Sequence, residues 1–185
     1  MADLTLSSGS VVKAHRTPWG AFHTRQYGVS TGISSAVIYA GRPVTLDYTL
    51  ANPTTNASYV KGSTAPNSFY LVGIAAETTP STALAGQPVH VYEANPMAEF
   101  SAVTKLGTLQ SSQVGLTKKL DWDSTLNIAF VDLTASTATD HRVVITQLLD
   151  AVGDSGGRVA FRFISDARQQ GSTVNSSTPY LAFYR

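Results

Sequence analysis

The sequence predicts an all-β protein, a single β-sandwich or barrel-like domain with an extended N-terminal arm. About ten to twelve short segments rich in β-branched and aromatic residues recur between turn signals, as in sandwiches and barrels. No window has the 3.6-residue period of an amphipathic helix, and neither an internal repeat nor a domain linker is evident. Only 14% of the residues are charged, whereas Ser and Thr make up 42 of 185, a composition typical of β-rich extracellular or virion proteins.

Residues 1–40 are predicted to form the arm and residues 41–185 the β domain. The arm contains turn-forming strings such as SSGS and TPWG, and a long segment without regular structure is uncommon inside a compact domain. We therefore expect the arm to be ordered by a partner, and its candidate partner-binding residues are the basic and aromatic ones: Lys13, Arg16, Trp19, Phe22, Arg25 and Tyr27. The alternative is an ordinary N-terminal meander packed on its own domain.

The first strands of the β domain follow from alternation and from apolar runs. Residues 44–50 alternate between apolar and polar side chains, which predicts a half-buried strand. A short strand at residues 59–61 follows within a loop. Residues 69–76, FYLVGIAA, are apolar on both faces and predict a central strand. Gly73 within this strand predicts a bulge or a close backbone approach.

Residues 86–104 form the middle of the sequence and are predicted to be a framework element. Residues 89–93 are a β-branched and aromatic run that predicts a strand. The Asn95-Pro96 pair ends it, because proline donates no ladder hydrogen bond and asparagine favours turns. A second strand resumes at residues 99–104, which gives a kinked strand pair.

The C-terminal half supplies five further predicted strands, separated by turn-forming residues: 116–120, 127–132, 141–149, 158–164 and 180–184. The string DWDSTLN, which follows the first of them, is predicted to be a turn. Ile128 and Phe130 are predicted to point inward. In the fourth strand, Val159, Phe161 and Phe163 share one face and alternate with arginines.

The net charge of +1 is unevenly distributed along the chain. Residues 1–46 carry four Lys and Arg against one Asp, and residues 121–154 carry six Asp against one Arg. One interpretation is chance clustering in solvated loops. Another is that the basic N-terminal segment docks on an acidic surface, its own or a neighbour's.

The string GDSGG at residues 153–157 is the one surrounding the nucleophilic serine of chymotrypsin-like proteases. A serine acts as a nucleophile only beside a histidine that a carboxylate orients, and none of the four histidines lies in a matching context. Because GDSGG separates two predicted strands, it indicates a hairpin turn. We expect no catalytic residue, and the protein is expected not to be an enzyme.

The sequence also gives no reason to expect a metal, a cofactor, a nucleic acid or a membrane. Asp121 and Asp123 have no adjoining acidic cluster to complete a calcium site, and the histidines lack the spacing of metal ligands. The positive charges are neither dense nor interleaved with aromatic residues. There is no apolar run of membrane-spanning length and no cysteine.

Three strings resemble accessory head proteins of tailed bacteriophages: FYLVGIAAE, GQPVHVYEANPMAEFSAVT and DHRVVITQLLDAVGDSGGRVAFRF. The resemblance consists of a V-x-V-x-x-A strand, a short break, an E-F strand and a later G-D-x-x-G hairpin. In this sequence the first part is carried by Val89, Val91, Ala94, Glu99 and Phe100, and the hairpin by residues 143–163. It covers residues 69–164.

This resemblance implies a head decoration, or cement, protein that is made in the host cytoplasm and sits on the outer capsid surface of the virion. Its partner would be the major capsid protein, and it would commonly be a homotrimer at local three-fold axes. The expected function is non-enzymatic, the stabilisation of contacts between major capsid subunits. The alternative is a host- or carbohydrate-binding head fibre or knob module.

Overall fold

A computed structural model of the chain describes residues 12–17, 21–30, 37–46, 59–62, 71–80, 86–134 and 141–164. These residues contain eleven β-strands and a single turn of 3-10 helix at Ser111–Gln113. The predicted all-β class is therefore confirmed. The predicted strand at residues 180–184 lies outside the described residues.

Five strands form a closed barrel, which we call the first barrel: β2 (Thr24–Val29), β3 (Pro43–Leu46), β4 (Tyr59–Gly62), β5 (Leu71–Ala75) and β6 (Pro88–Glu93). Their order around the barrel is β2-β4-β3-β5-β6. The β2–β4 pair is parallel, and the other pairs are antiparallel. The inward-facing valines of these strands, such as Val44, Val60 and Val89, are fully buried.

Five later strands form a second barrel: β7 (Glu99–Lys105), β8 (Thr117–Asp123), β9 (Ile128–Asp132), β10 (Val143–Leu148) and β11 (Arg158–Phe163). Their order is β7-β11-β10-β8-β9, and a parallel β7–β9 pairing closes the ring. Strand β1 (Lys13–Arg16) lies outside the ring and pairs antiparallel with β7. The core contains Phe100, Phe161 and Phe163, whose rings lie 5.4–5.9 Å apart.

The two barrels have the same topology. Strands β2 to β6 correspond in order to β7 to β11, since each barrel pairs its first strand in parallel with its third and makes the same antiparallel pairs elsewhere. The registers match as well: Val29 pairs with Val60 in the first barrel, as Thr104 pairs with Val131 in the second. The sequence predicted one domain without a repeat, whereas the structure has a five-strand repeat.

The barrels pack directly against one another. Every residue of β5 is buried, and its Leu71 and Ile74 belong to the hydrophobic cluster of the second barrel. Trp122 of β8 stacks on Tyr39 with ring centroids 6.5 Å apart, and the Arg42 guanidinium lies 4.8 Å from the Trp122 centroid. These shared contacts make the two barrels one packed unit.

The two strands predicted on either side of Asn95-Pro96 are confirmed as β6 and β7, but they do not pair with each other. Strand β6 pairs with β2 and β5, and β7 pairs with β1, β9 and β11, so the two strands belong to different barrels. The Asn95 side chain accepts a hydrogen bond from the Met97 amide at 2.9 Å, which stabilises the turn. This turn is the crossover from the first barrel to the second.

The prediction that Ile128 and Phe130 point inward is confirmed as to burial, but neither side chain joins the main core of the second barrel. Both side chains are buried, but they form a separate small cluster with Val103. The alternate residues Ala129 and Val131 face the main core instead. The sequence pattern did not distinguish the two faces of β9, because its first four residues, IAFV, are all apolar.

The described part of the N-terminal segment is not irregular, because it contains β1 and β2. Tyr27 is 7% exposed and belongs to the core of the first barrel. Phe22 packs edge-to-face against Phe100 at 5.3 Å. These residues pack within the chain, as in the alternative of an N-terminal meander, and the division between the two barrels falls between β6 and β7.

Candidate functional site

The candidate site is a row of charged side chains where β1 lies on the second barrel. Arg16 of β1 is opposite Glu99 of β7, and Arg162 of β11 is opposite the same Glu99 from the other side. Residues that are directly opposite across paired strands point to the same face of the sheet. The three side chains therefore lie side by side on the outer face of the second barrel.

A β-bulge in β1 brings a third cation, Lys13, to this face. Lys13 is opposite Ser101 and Arg16 is opposite Glu99, with a register shift between them that leaves His15 as the extra residue. Positions 13 and 16 of a regular strand would point to opposite faces. Because the bulge adds one residue, Lys13 and Arg16 share the outer face.

The Glu99 carboxylate lies between the two arginines. Its Oε2 accepts hydrogen bonds from Arg16 Nε at 2.9 Å and is 2.8 Å from Arg16 Nη2. Its Oε1 is 3.4 Å from Arg162 Nε. The Glu99 side chain is only 2% exposed, whereas those of Arg16 and Arg162 are 65% and 37% exposed.

The environment keeps Glu99 ionised. Burial alone would raise the pKa of this carboxyl, but the Thr146 hydroxyl and the charges of Arg16 and Arg162 act in the other direction, and the net pKa is lowered. Thr146 Oγ1 and Arg162 Nε are themselves buried, and neither makes a hydrogen bond of good geometry. The row has two positive charges and one negative charge, a net charge of +1.

A pocket of about 310 Å³ opens beside this row and is lined by Arg16, Thr17, Met97 and Arg162; we call it the arginine pocket. Met97 is 48% exposed and gives the pocket an apolar wall. A guanidinium carries five N–H donors, and Glu99 engages two of those of Arg16. The arginine pocket therefore suits an anionic group that also has an apolar part.

The structure brings together only some of the residues predicted from the sequence. Arg16 lines the arginine pocket, and Lys13 lies on the same face. Arg25 is exposed on the first barrel, with its guanidinium 5.5 Å from the Tyr27 ring centroid. Trp19 lies outside the described residues.

Sequence reasoning missed Glu99, Arg162 and Met97 as site residues. The alternation of residues 158–164 placed Arg162 on the polar face, as the structure has it, but it gave no neighbour across the sheet. The burial of Glu99 depends on the position of β1. No local pattern around Glu99 could have revealed this.

A second exposed surface lies at the opposite end of the second barrel. Its loops are joined by hydrogen bonds between the Leu109 amide and the Asp154 carbonyl at 2.9 Å and between the Gly153 amide and the Leu109 carbonyl at 2.8 Å. Four large apolar side chains on these loops are 45–64% exposed: Leu106, Val114, Leu116 and Val152. Exposed apolar groups of this kind are common at protein contact surfaces.

The GDSGG string forms the turn between β10 and β11, as predicted. Gly153 and Gly156 have φ angles of +96° and +75°, which glycine adopts without strain. Ser155 forms an isolated bridge with Thr108 of the neighbouring loop. Its surroundings are therefore those of a structural turn.

Among the residues that the structure describes, the acidic stretch of the sequence makes no contact with strand β1 that the ion pairs record. The predicted turn DWDSTLN is confirmed for residues 124–127, whereas Asp121 and Asp123 lie within β8. Asp123 pairs with Lys105 at 2.6 Å and Asp121 with Lys119 at 2.8 Å. Strand β1 instead directs its arginine to Glu99.

Within the described ranges, no three His, Cys, Asp or Glu side chains are grouped so that they could hold a metal ion. The same residues include no helix of the length and apolar character needed to cross a membrane. Comparison of the chain with protein-family models, curated proteins and solved structures finds no match.

Proposed function

We propose that this chain is a non-enzymatic structural protein of a tailed-phage head, which binds the outer capsid surface and stabilises contacts between major capsid subunits. The resemblance of residues 69–164 to accessory head proteins suggests the class. The observation that supports the proposal at the level of residues is the arginine pocket, an exposed cationic site beside the apolar Met97. An acidic side chain of a capsid subunit is its natural ligand.

The architecture suits adhesion to a symmetric shell. The two barrels share packing contacts, and a preorganised packed unit loses little conformational entropy when it binds. A homotrimer at a local three-fold axis would present three arginine pockets at once. Linked contacts of this kind multiply a modest affinity without any new contact.

The proposal is tested by adding the purified protein to phage heads that lack it. We expect the protein to sediment with the heads and cryo-electron microscopy to place it on the outer surface at local three-fold positions. Arg16→Gln should weaken binding by about tenfold to a hundredfold, since one charge-assisted hydrogen bond contributes about 1.5–3 kcal/mol.

Arg158→Gln is the matched control. The Arg158 side chain is 61% exposed and pairs with Asp150 at 2.8 Å, much as Arg16 is 65% exposed and pairs with Glu99. We expect heads to bind this variant like the wild type. No binding of the wild type to heads would refute the proposal, and binding to host cells or glycans instead would favour the fibre or knob alternative. An equal loss of head binding in both variants would show that the effect comes from the overall positive charge of the protein and not from the arginine pocket.

A further inference from the structure

The repeat reveals a strand edge that is covered in one barrel and open in the other. In the second barrel, one edge of β7 pairs with β9 at residues 103–105 and with β1 at residues 99–101. The equivalent strand of the first barrel is β2, whose same edge pairs with β4 only at Gly28 and Val29. Among the described residues, no strand pairs with this edge at residues 24–26, which we call the open edge.

The backbone groups at the open edge point away from the first barrel. Hydrogen bonds alternate along β2: the His23 carbonyl accepts from the Glu93 amide at 3.3 Å and the Val29 amide donates to Gln87 at 2.9 Å, both toward the β6 side. The Ser30 amide donates to Val60 of β4, on the opposite edge. By this alternation, the N–H and C=O groups of Thr24 and Gln26 lie on the open edge, and the whole of residues 23–26 is exposed.

The second barrel indicates what such an edge binds. Thr24 and Gln26 are equivalent to Glu99 and Ser101, which are the residues of β7 that lie opposite Arg16 and Lys13 of β1. The edge of β7 is thus covered by a short antiparallel strand. The same backbone geometry in β2 is ready for the same kind of partner.

We propose that the open edge binds an extended, antiparallel segment of a partner protein, and that this segment carries a carboxylate opposite Arg25. Addition of a strand to an exposed sheet edge is a recurrent mode of peptide recognition, in which main-chain hydrogen bonds supply affinity and side chains supply specificity. Arg25 is the exposed charged side chain at the centre of the edge. An opposite charge directly across two strands stabilises their pairing, and a like charge weakens it.

A second copy of β1 would not supply the carboxylate that Arg25 lacks. In the register of β1 on β7, a strand such as Lys13–Arg16 from another copy would place Ala14 opposite Arg25, and its two cations would point to the other face. Charged side chains on exposed edges are a common protection against self-association. The identity of the partner as a capsid subunit rests on the proposed function, whereas the strand site does not.

The strand site is tested by NMR on the isotope-labelled full chain. The probe is a short synthetic peptide of alternating valine and threonine with one central glutamate. We expect it to shift the Thr24 and Gln26 amide signals and to slow their hydrogen exchange. A matched peptide with lysine in place of glutamate should bind roughly threefold or more weakly.

Two substitutions separate backbone from side-chain recognition. Gln26→Pro removes an N–H that faces the open edge and no bond to β6, so it should abolish peptide binding, while Gln26→Ala should retain it. Arg25→Glu should reverse the preference and favour the lysine peptide, which keeps the test decisive even if the proline variant does not fold. Protection of the Thr24 and Gln26 amides in the free protein, or equal binding by Gln26→Pro and the wild type, would overturn the inference.

The same variants on phage heads distinguish this inference from the proposed function. If Gln26→Pro still binds heads, and if the Thr24 and Gln26 amides of the wild type stay unprotected when it binds heads, the proposed function is kept and the strand site is overturned. Peptide binding without head binding would do the reverse. Concentration-dependent self-association that Gln26→Pro removes would identify a second copy as the occupant and contradict the inference.

Discussion

Replacing Glu99 with glutamine tests whether the buried carboxylate holds the arginine row together. The substitution preserves the size of the side chain but removes the charge that faces Arg16 and Arg162. Removing one partner of a buried ion pair costs about 3–5 kcal/mol. Because the arginine side chains are 65% and 37% exposed, water solvates part of each, and we expect a loss of about 1–2 kcal/mol.

The loss should depend on pH with a definite sign. The pKa of Glu99 is lowered in the folded protein, so its contribution is complete above the unfolded pKa of about 4.3 and is lost as the pH falls through the folded value. The wild type should therefore exceed the variant in stability at pH 7, and the difference should shrink below about pH 4. Urea unfolding measures the free energy of unfolding of both proteins at each pH. Tryptophan fluorescence reports the transition, because Trp122 is only 8% exposed in the folded protein.

Glu77→Gln provides the control. Glu77 pairs with His90 at 2.8 Å, but its side chain is 49% exposed. We expect this variant to stay within about 0.5 kcal/mol of the wild type. If Glu99→Gln changes stability no more than Glu77→Gln does, or if its effect is the same in acid, the role assigned to the buried carboxylate is refuted.

Three further outcomes follow from the backbone. Gly73→Ala should cost about 1–3 kcal/mol, because the new Cβ would overlap the Tyr92 carbonyl, and an unchanged melting temperature would contradict this. Gly156→Ala should cost about 1 kcal/mol at its positive φ, while urea unfolding of Ser155→Ala in the same turn should match the wild type. Deleting residues 2–30 removes β1 and β2 and should abolish the near-ultraviolet circular dichroism of the folded protein; a folded product would instead make the segment a detachable arm.

The strands that were predicted well from the sequence are those whose own residues indicate how deeply they are buried. The run FYLVGIAA predicted a strand buried on both faces, and all five residues of β5 are buried. Gly73 predicted a close backbone approach, and the Tyr92 carbonyl lies there. In both cases the apolar character and the size of the local side chains are enough for the prediction, because they depend on the residue's own surroundings and not on a distant partner.

The N-terminal strands escaped prediction because their pattern lacks a buried face. Residues 23–26 at the start of β2 are exposed, so apolar residues do not mark one side of this half of the strand. In β1 the bulge places Lys13 and Arg16 on one face at a spacing that no regular strand has. Long-range pairing, not local propensity, makes both segments strands.

The repeat is invisible in the sequence because equivalent positions of the two barrels hold different residues. Register equates Arg25 with Phe100 and Tyr27 with Ala102. Each barrel can be filled by different side chains as long as the total volume and the inward pattern are kept. Topology is therefore retained by pairing geometry while the residues differ, and only the strand order exposes the relationship.

The two proposed binding surfaces arise from one difference between the barrels among the described strands. The same strand edge is covered by β1 in the second barrel and uncovered by described strands in the first. Where β1 covers it, Arg16 meets Glu99, and the arginine pocket forms beside them. Where it is open, Thr24 and Gln26 present backbone groups next to Arg25. A single N-terminal strand thus converts one of two equivalent edges into a side-chain site and leaves the other as a main-chain site, so that a partner with acidic side chains and an extended segment would engage both barrels at once.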